Sequence, residues 1–274
     1  PRPMNSRTHR YTDSRKRIWI LVAFPLLLVL VLPGIALLLS AGLPAVWTAV
    51  SDPIFKEALL LSLKTSILSL GLIFFFGIPM AWWFAQSDSR VARILEALVD
   101  LPVIVPPAVI GIGLLQAFGR NGIFGKVFDH WDWGIPFTFW AVILAQVVIA
   151  APFFIRSAVV AFRELDQELI VVARTLGHSP LQILTRVVIP MSRTGWVGGL
   201  TLAWARALGE FGATLLFAGN MPGVTQTVPL AIYSALERDV HVAVALSLLL
   251  CALALVLLFL LRKFFVPVSL KERP

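Results

Sequence analysis

The sequence predicts an all-α, polytopic membrane protein with six transmembrane helices and with both termini in the cytoplasm. Of its 274 residues, 58% are hydrophobic and only 14% are charged, and the mean hydropathy is +0.88. Soluble domains contain roughly 45–50% apolar and about 25% charged residues. Uncharged runs such as Ile18–Leu39 and Val242–Leu261 can cross ~30 Å of hydrocarbon at ~1.5 Å per helical residue. A soluble protein is therefore excluded.

Hydrophobic segments divide the chain into six expected spans. They are Ile18–Leu39, Leu59–Phe84, Leu98–Phe118, Pro136–Ile155, Gly195–Ala218 and Val242–Leu261. The first is longer than the ~7–15-residue core of a signal peptide, so we expect an uncleaved span. Residues 1–17 are expected to form a basic arm that is disordered or lies on the lipid surface. Residues 18–55 then hold the first helix and an outer loop, 56–263 the main transmembrane domain, and 264–274 a cytoplasmic tail.

Lysine and arginine residues are distributed unequally between the two sides of the membrane. With the N-terminus inside, the predicted cytoplasmic segments carry 17 of the 23 Lys and Arg residues and the outer loops carry 4, while Lys64 and Arg206 fall within spans. Cytoplasmic loops of membrane proteins carry such an excess of positive charge. The bias also explains the net charge of +8 without any nucleic-acid partner.

The long inner connection between spans four and five, 163–190, is polar and predicted to be helical. Apolar residues recur at Leu165, Leu169, Val172 and Leu176, the spacing of an amphipathic helix. Gly177 stands where such a helix ends and Pro180 follows it. A second helical stretch, 181–188, leads to Pro190. From these residues alone, a helix pair lying on the membrane surface remains an alternative.

No residue pattern indicates catalysis, a metal site or a nucleotide site in this chain. The Gly-rich stretch Gly119–Val127 lacks the Ser or Thr that a phosphate loop places after its Lys. Cys251 is the only cysteine and is expected to be a small core residue. Energy for uphill transport must therefore come from a partner or an ion gradient. Glu210 is the one acidic residue deep in a span, which disfavours an ion-coupled secondary carrier but leaves it open.

Two groups of residues within the spans are candidates for a translocation pathway. Three prolines near the start of span three lack a backbone N–H and predict kinks in the helix; they are Pro102, Pro106 and Pro107. The kinked segment either lines a pathway or serves only helix packing. Arg206 and Glu210 are four residues apart on span five and can pair on one helix face. The pair either locks helices together or guides an anion.

Glycines beside that pair predict a close approach between backbones. They are Gly209, Gly212 and Gly219. Close approach of this kind suits helix packing and a narrow gate equally well.

The inner loop resembles the EAA loop of bacterial ABC-importer permeases. It reads Glu168-Leu-Ile-Val-Val-Ala173-Arg-Thr-Leu-Gly177, and the closing Pro190 follows. Ala173, Gly177 and Pro190 stand at the family spacing, whereas Val171 replaces the Glu that names the loop. The resemblance implies that this loop, including Glu168 and Arg174, docks on a cytoplasmic ATPase.

Two further stretches are similar to the molybdate type within the molybdate/sulfate group of these permeases. They are Leu101–Gly113 (LPVIVPPAVIGIG) and Ala205–Asn220 (ARALGEFGATLLFAGN). The resemblance implies a type I importer permease in a prokaryotic cytoplasmic membrane, forming a homodimer with two ATPase subunits that bind ATP and magnesium. No cofactor is implied for this chain itself. Sulfate, thiosulfate or tungstate remain alternative substrates.

The same resemblance assigns roles to residues at the end of span five. Thr214 joins Arg206, Gly209, Glu210 and Gly212 at the gate. Asn220, Pro222 and Gly223 form an outer turn that contacts an extracytoplasmic oxyanion-binding protein.

Overall fold

The structure, a computed structural model, describes residues 8–125 and 134–265, and every regular element in this part of the chain is helical. The first part holds α1 Thr8–Ser40, α2 Leu43–Ser51, α3 Pro53–Gln86, α4 Arg90–Val99, α5 Leu101–Ile104 and α6 Pro107–Phe118. The second part begins with α7 Phe139–Arg163, α8 Gln167–Thr175, α9 Pro180–Ile183, a π-helical turn Leu184–Val188 and α10 Ile189–Met191. It continues with α11 Arg193–Leu208, α12 Gly212–Ala218, α13 Val228–Leu236 and α14 Val240–Phe265.

Among the described residues, four helices are long and apolar enough to cross a membrane, namely α1, α3, α7 and α14. They cover the predicted spans one, two, four and six. The first helix begins at Thr8, so residues 8–17 are helical and not disordered, while the alternative expectation of an arm on the lipid surface stays a prediction. Residues 1–7 and 266–274, which hold the rest of the arm and most of the tail, lie outside the described residues.

The predicted third and fifth spans are each interrupted. A bend of 116° separates the α4–α5 pair from α6 at Pro106-Pro107, because neither proline can donate a backbone hydrogen bond. The fifth span stops at Leu208 and resumes at Gly212. One continuous helix over the fifth span is therefore wrong, whereas the interruption of the third agrees with the kinks predicted from its prolines. Four spans, or five if the bent pair counts as one, are found in the described part, and the total of six stays a prediction.

The core is formed by α3, α7 and α11. Buried apolar side chains from these helices interlock, with those of the inner loop beneath them; they include Ile73, Phe84, Phe154, Phe162 and Val188. Polar contacts also join the helices, because Ser69 Oγ donates to Gln146 Oε1 at 3.0 Å and Trp204 Nε1 donates to Ser66 Oγ at 3.0 Å. The interior is thus closely packed and hydrogen-bonded, and the interrupted segments lie beside it.

Candidate functional site: an interrupted helix pair and an inner loop

Two short helices, α6 and α12, pack side by side in parallel where the predicted third and fifth spans are broken. At their N-terminal ends, a Cβ on Gly212 would lie 3.3 Å from Ala108 N. Further along, a Cβ on Gly111 would lie 2.8 Å from Ala213 O. Only a glycine allows this distance, so the pair depends on Gly111 as well as on the predicted Gly212.

Arg206 and Glu210 form an ion pair at the break between α11 and α12. Arg206 Nη1 lies 2.7 Å from Glu210 Oε2, and the side chains are 28% and 1% exposed. Glu210 Oε1 accepts a hydrogen bond from Ala213 N at 2.8 Å and so caps the start of α12. The predicted pair is present, but it spans the break instead of lying on one continuous helix, since α11 ends at Leu208.

Another predicted gate residue, Thr214, follows this pair and has a buried hydroxyl. Thr214 is fully buried, and its hydroxyl has no hydrogen-bond partner among the described residues. An unpaired buried polar group costs roughly 1–3 kcal/mol. Gly209 is the C-cap of α11 and is exposed. The break therefore combines an ion pair, a buried hydroxyl and an exposed glycine within one short segment.

The prolines stand at the entrance to α6. Pro102 occupies the first turn of α5, Pro106 is the N-cap of α6, and Pro107 is its first residue. Each is thus at a position where a missing N–H is tolerated. The predicted kinks are confirmed as a sharp change of direction.

The inner loop has the predicted helix–glycine–helix form. The helix α8 ends in a Schellman motif, because His178 N donates to Ala173 O at 3.2 Å and Gly177 N donates to Arg174 O at 3.0 Å. Gly177 has φ +80°, in the region that favours glycine. Pro190 follows the π-helical turn and is exposed, as is Glu168.

The apolar stripe of α8 does not face the protein core, contrary to the usual orientation of such a stripe. Ile170 and Ala173 are the buried residues, whereas Leu169, Val172 and Leu176 are exposed. Leu181 on α9 is exposed as well. The loop is therefore anchored by one face and presents a second apolar face outward, which the periodicity alone did not distinguish.

Two ion pairs fasten α4 to α7, and sequence reasoning missed both. Arg163 Nη2 lies 3.0 Å from Glu96 Oε2 and also donates to Phe84 O at 3.1 Å. Arg156 Nε pairs with Asp100 Oδ1. The sequence offered one clue to these ion pairs, namely that both arginines and both acidic residues stand near the ends of predicted spans. Because α8 begins four residues after Arg163, these pairs join the inner loop to the segment that enters α6.

A turn is present after Asn220, as predicted, and its place on the outer side of the membrane stays a prediction. Val224 N and Thr225 N both donate to Met221 O, and Gly223 has φ +75°. Asn220 is held by Ser234 and Gln226, at 2.8 and 2.9 Å.

A cavity of about 350 Å³, lined by both polar and apolar residues, adjoins this turn. Pro222, Asp52 and Arg238 are among its lining residues. The turn is thus rigid and lies beside a recess of mixed charge.

Comparison with known proteins identifies the family. The family profile described as "Binding-protein-dependent transport system inner membrane component" matches residues 73–268. The chain belongs to this family. As an inner membrane component of a transport system, it is a transport subunit without a catalytic site of its own, and it is a multi-pass membrane protein, as the sequence predicted.

Two relatives of this inner membrane component illustrate the similarity. The chain is 41% identical to the "Molybdenum transport system permease protein ModB" of Mycobacterium tuberculosis over 90% of this chain and 93% of that protein. It is 33% identical to the "Probable sulfate transport system permease protein cysT" of Helicosporidium, over 72% of this chain and 74% of that protein.

A solved structure shares the fold of this inner membrane component. A chain from the crystal structure of a bacterial alginate ABC transporter, in complex with an alginate pentasaccharide-bound periplasmic protein, has a TM-score of 0.68. The two are 20% identical, and the match covers 92% of this chain and 95% of that one. An ABC-importer permease fold is therefore shown for the chain as a whole.

Proposed function

We propose that this chain is the permease subunit of an ATP-driven importer that carries molybdate across the cytoplasmic membrane. One observation carries the choice of substrate: the 41% identity to a molybdenum permease extends over 90% of the chain and includes the segment in which α11 breaks and α12 begins. That segment also supplies the ion pair and the closely packed glycines.

The partners follow from the family and from the shape of the inner loop. We assign the exposed apolar face of α8 and α9, with Glu168, Arg174 and Gly177 beside it, to an ATPase that binds ATP and magnesium. A binding-protein-dependent system also needs an extracytoplasmic binding protein, for which the rigid turn at Asn220, Pro222 and Gly223 is the proposed contact. We further propose that two copies form a homodimer, with the pathway between them.

Arg206 is the residue that we assign to the anion. Its side chain is 28% exposed within the described chain, and a cation within a span is rare unless it faces water or protein. Glu210 balances its charge when no anion is bound. The gate in this proposal is formed by the segments around the anion-binding pair, which contain Pro102, Pro106, Pro107, Gly209, Gly212 and Thr214. A purely structural ion pair is the competing assignment.

The test is transport in proteoliposomes that contain the chain, its ATPase and its binding protein. Labelled molybdate should accumulate only when the ATPase and ATP are present, and the purified chain alone should hydrolyse no ATP. Sulfate uptake at an equal or greater rate would favour the sulfate assignment, which the relative at 33% identity supports. Uptake driven by a proton or sodium gradient without the ATPase would contradict the proposal.

A further inference from the structure

One side of the amphipathic helix α4 is fixed to the protein. Ala92 is buried in the core cluster. Glu96 and Asp100, one and two turns further along, accept hydrogen bonds from Arg163 and Arg156 of α7. The helix is therefore held in one orientation, and its remaining sides face outward.

A second side of α4 is apolar and exposed. Val91, Ile94 and Leu98 are 59%, 61% and 56% exposed, and their spacing puts them on one stripe of the helix. At ~100° per helical residue, this stripe lies about half a turn away from the fixed side. A contiguous exposed apolar stripe on a helix that cannot rotate requires an apolar environment.

The third side of α4 is cationic. Arg90 and Arg93 are exposed and form no ion pair among the residues that the structure describes. The two acids of the fixed side are already occupied by the arginines of α7. Asp88, in the linker before the helix, is the remaining acid, so this flank keeps a net positive charge.

The direction of α4 fits a helix that lies along a membrane surface. The α4–α5 pair is bent by 116° from α6, so it lies closer to the membrane plane than to the normal when α6 runs along the normal. The distribution of Lys and Arg predicts that this segment is cytoplasmic, and the cytoplasmic leaflet carries anionic lipids.

We propose that α4 lies in the boundary of the cytoplasmic leaflet and binds anionic phospholipids. Val91, Ile94 and Leu98 enter the acyl-chain region, and Arg90 and Arg93 contact lipid phosphates. An apolar stripe flanked by cations is the pattern of an interfacial helix.

A second copy of the chain is a poorer occupant of the same surface. A two-fold contact presents the same patch from both copies, and it would place two cationic flanks against each other. Like charges across an interface weaken association. The acids that could have balanced them, Glu96 and Asp100, are already paired within the chain.

The position of the stripe is tested by fluorescence quenching in proteoliposomes. Ile94→Cys, in a Cys251→Ser background, carries a bimane label, and Glu164→Cys, at an exposed position before α8 and outside the face assigned to the ATPase, is the control. Phosphatidylcholine brominated on its acyl chains should quench the label at 94 at least twofold more than the label at 164, and aqueous iodide should show the opposite order. Quenching at 94 by iodide alone would overturn the proposal. Protection from both quenchers, with cross-linking between copies, would assign the stripe to a second copy.

The charge requirement is tested with the double variant Arg90→Gln/Arg93→Gln. Each cation near an anionic surface strengthens binding about fivefold, so the apparent affinity for phosphatidylglycerol should fall by about tenfold or more, with no change for phosphatidylcholine. Arg120→Gln, an exposed arginine on the predicted outer side, should retain wild-type lipid binding. Unchanged phosphatidylglycerol binding by the double variant would refute the lipid assignment. Neither readout uses the transported substrate, so failure here is separate from failure of the proposed function.

Discussion

Replacing Arg206 by glutamine should destabilise the protein because Glu210 would remain charged and buried. Glu210 is 1% exposed, and Arg206 Nη1 lies 2.7 Å from its Oε2. Removing one partner of a buried ion pair costs about 3–5 kcal/mol. Arg206 is 28% exposed and Glu210 keeps its hydrogen bond from Ala213 N, so we expect the lower end of that range. At ~2–4 °C per kcal/mol, the unfolding midpoint of Arg206→Gln should fall by roughly 6–12 °C.

The double variant Arg206→Gln/Glu210→Gln separates charge from packing. A glutamine at 210 still offers an oxygen to Ala213 N, and no charge remains buried, so most of the lost stability should return. Glu210→Gln alone should cost only about 1 kcal/mol, since Arg206 can still reach water. The midpoints are measured by tryptophan fluorescence during heating in detergent. If the double variant melts as low as Arg206→Gln, the buried charge is not the cause and the reasoning fails.

Three further outcomes test the packing, the inner loop and the link between them. Gly111→Ala should lower both stability and uptake, because its Cβ would meet backbone at 2.8 Å; Gly113→Ala, with nothing within 4 Å, is the matched control and should behave as wild type in the same melting and uptake assays. Gly177→Val should leave the spans folded but weaken co-purification of the ATPase and reduce uptake severalfold, since a left-handed φ costs a β-branched residue about 1–3 kcal/mol; normal uptake with the ATPase bound would exclude a coupling role for the loop. Arg163→Glu should reduce the uptake per ATP hydrolysed but change the melting temperature little, because an exposed ion pair contributes only ~0.2–1 kcal/mol to stability. Adding Glu96→Arg should restore the uptake per ATP. No recovery in this charge-exchanged variant would count against a coupling role for the pair.

Long hydrophobic helices were predictable because their signal is local. The hydrophobic runs located α1, α3, α7 and α14, with ends that differ from the predicted ones by one to ten residues. Proline chemistry likewise located the bend before α6. The break after Leu208 has no proline, and its Gly-Glu-Phe-Gly sequence carries no local signal for the hydrogen bond from Ala213 N to Glu210 that starts α12. That choice depends on tertiary contacts, so the pattern could not reveal it.

The inner loop shows a different limit of sequence reasoning. The spacing of Leu169, Val172 and Leu176 correctly predicted an amphipathic helix, but not which side faces the core. An apolar helix face that binds a partner subunit and one that is buried within its own chain show the same helical spacing of apolar residues. In α8 the buried side is formed by Ile170 and by the small residue Ala173. The ion pairs of Glu96 and Asp100 were missed for a related reason, because charged partners more than fifty residues apart leave no local signal.

The close contact between α6 and α12 also constrains how the chain is made. The twelve residues of α6 extend only ~18 Å, well short of a ~30 Å bilayer, and the backbone that receives Gly111 belongs to α12. During synthesis, the third hydrophobic segment emerges from the ribosome long before that backbone exists. It must therefore wait at the translocon or in lipid with its glycine face uncovered, and a nascent chain truncated before residue 212 should be a preferred target for membrane quality-control proteases.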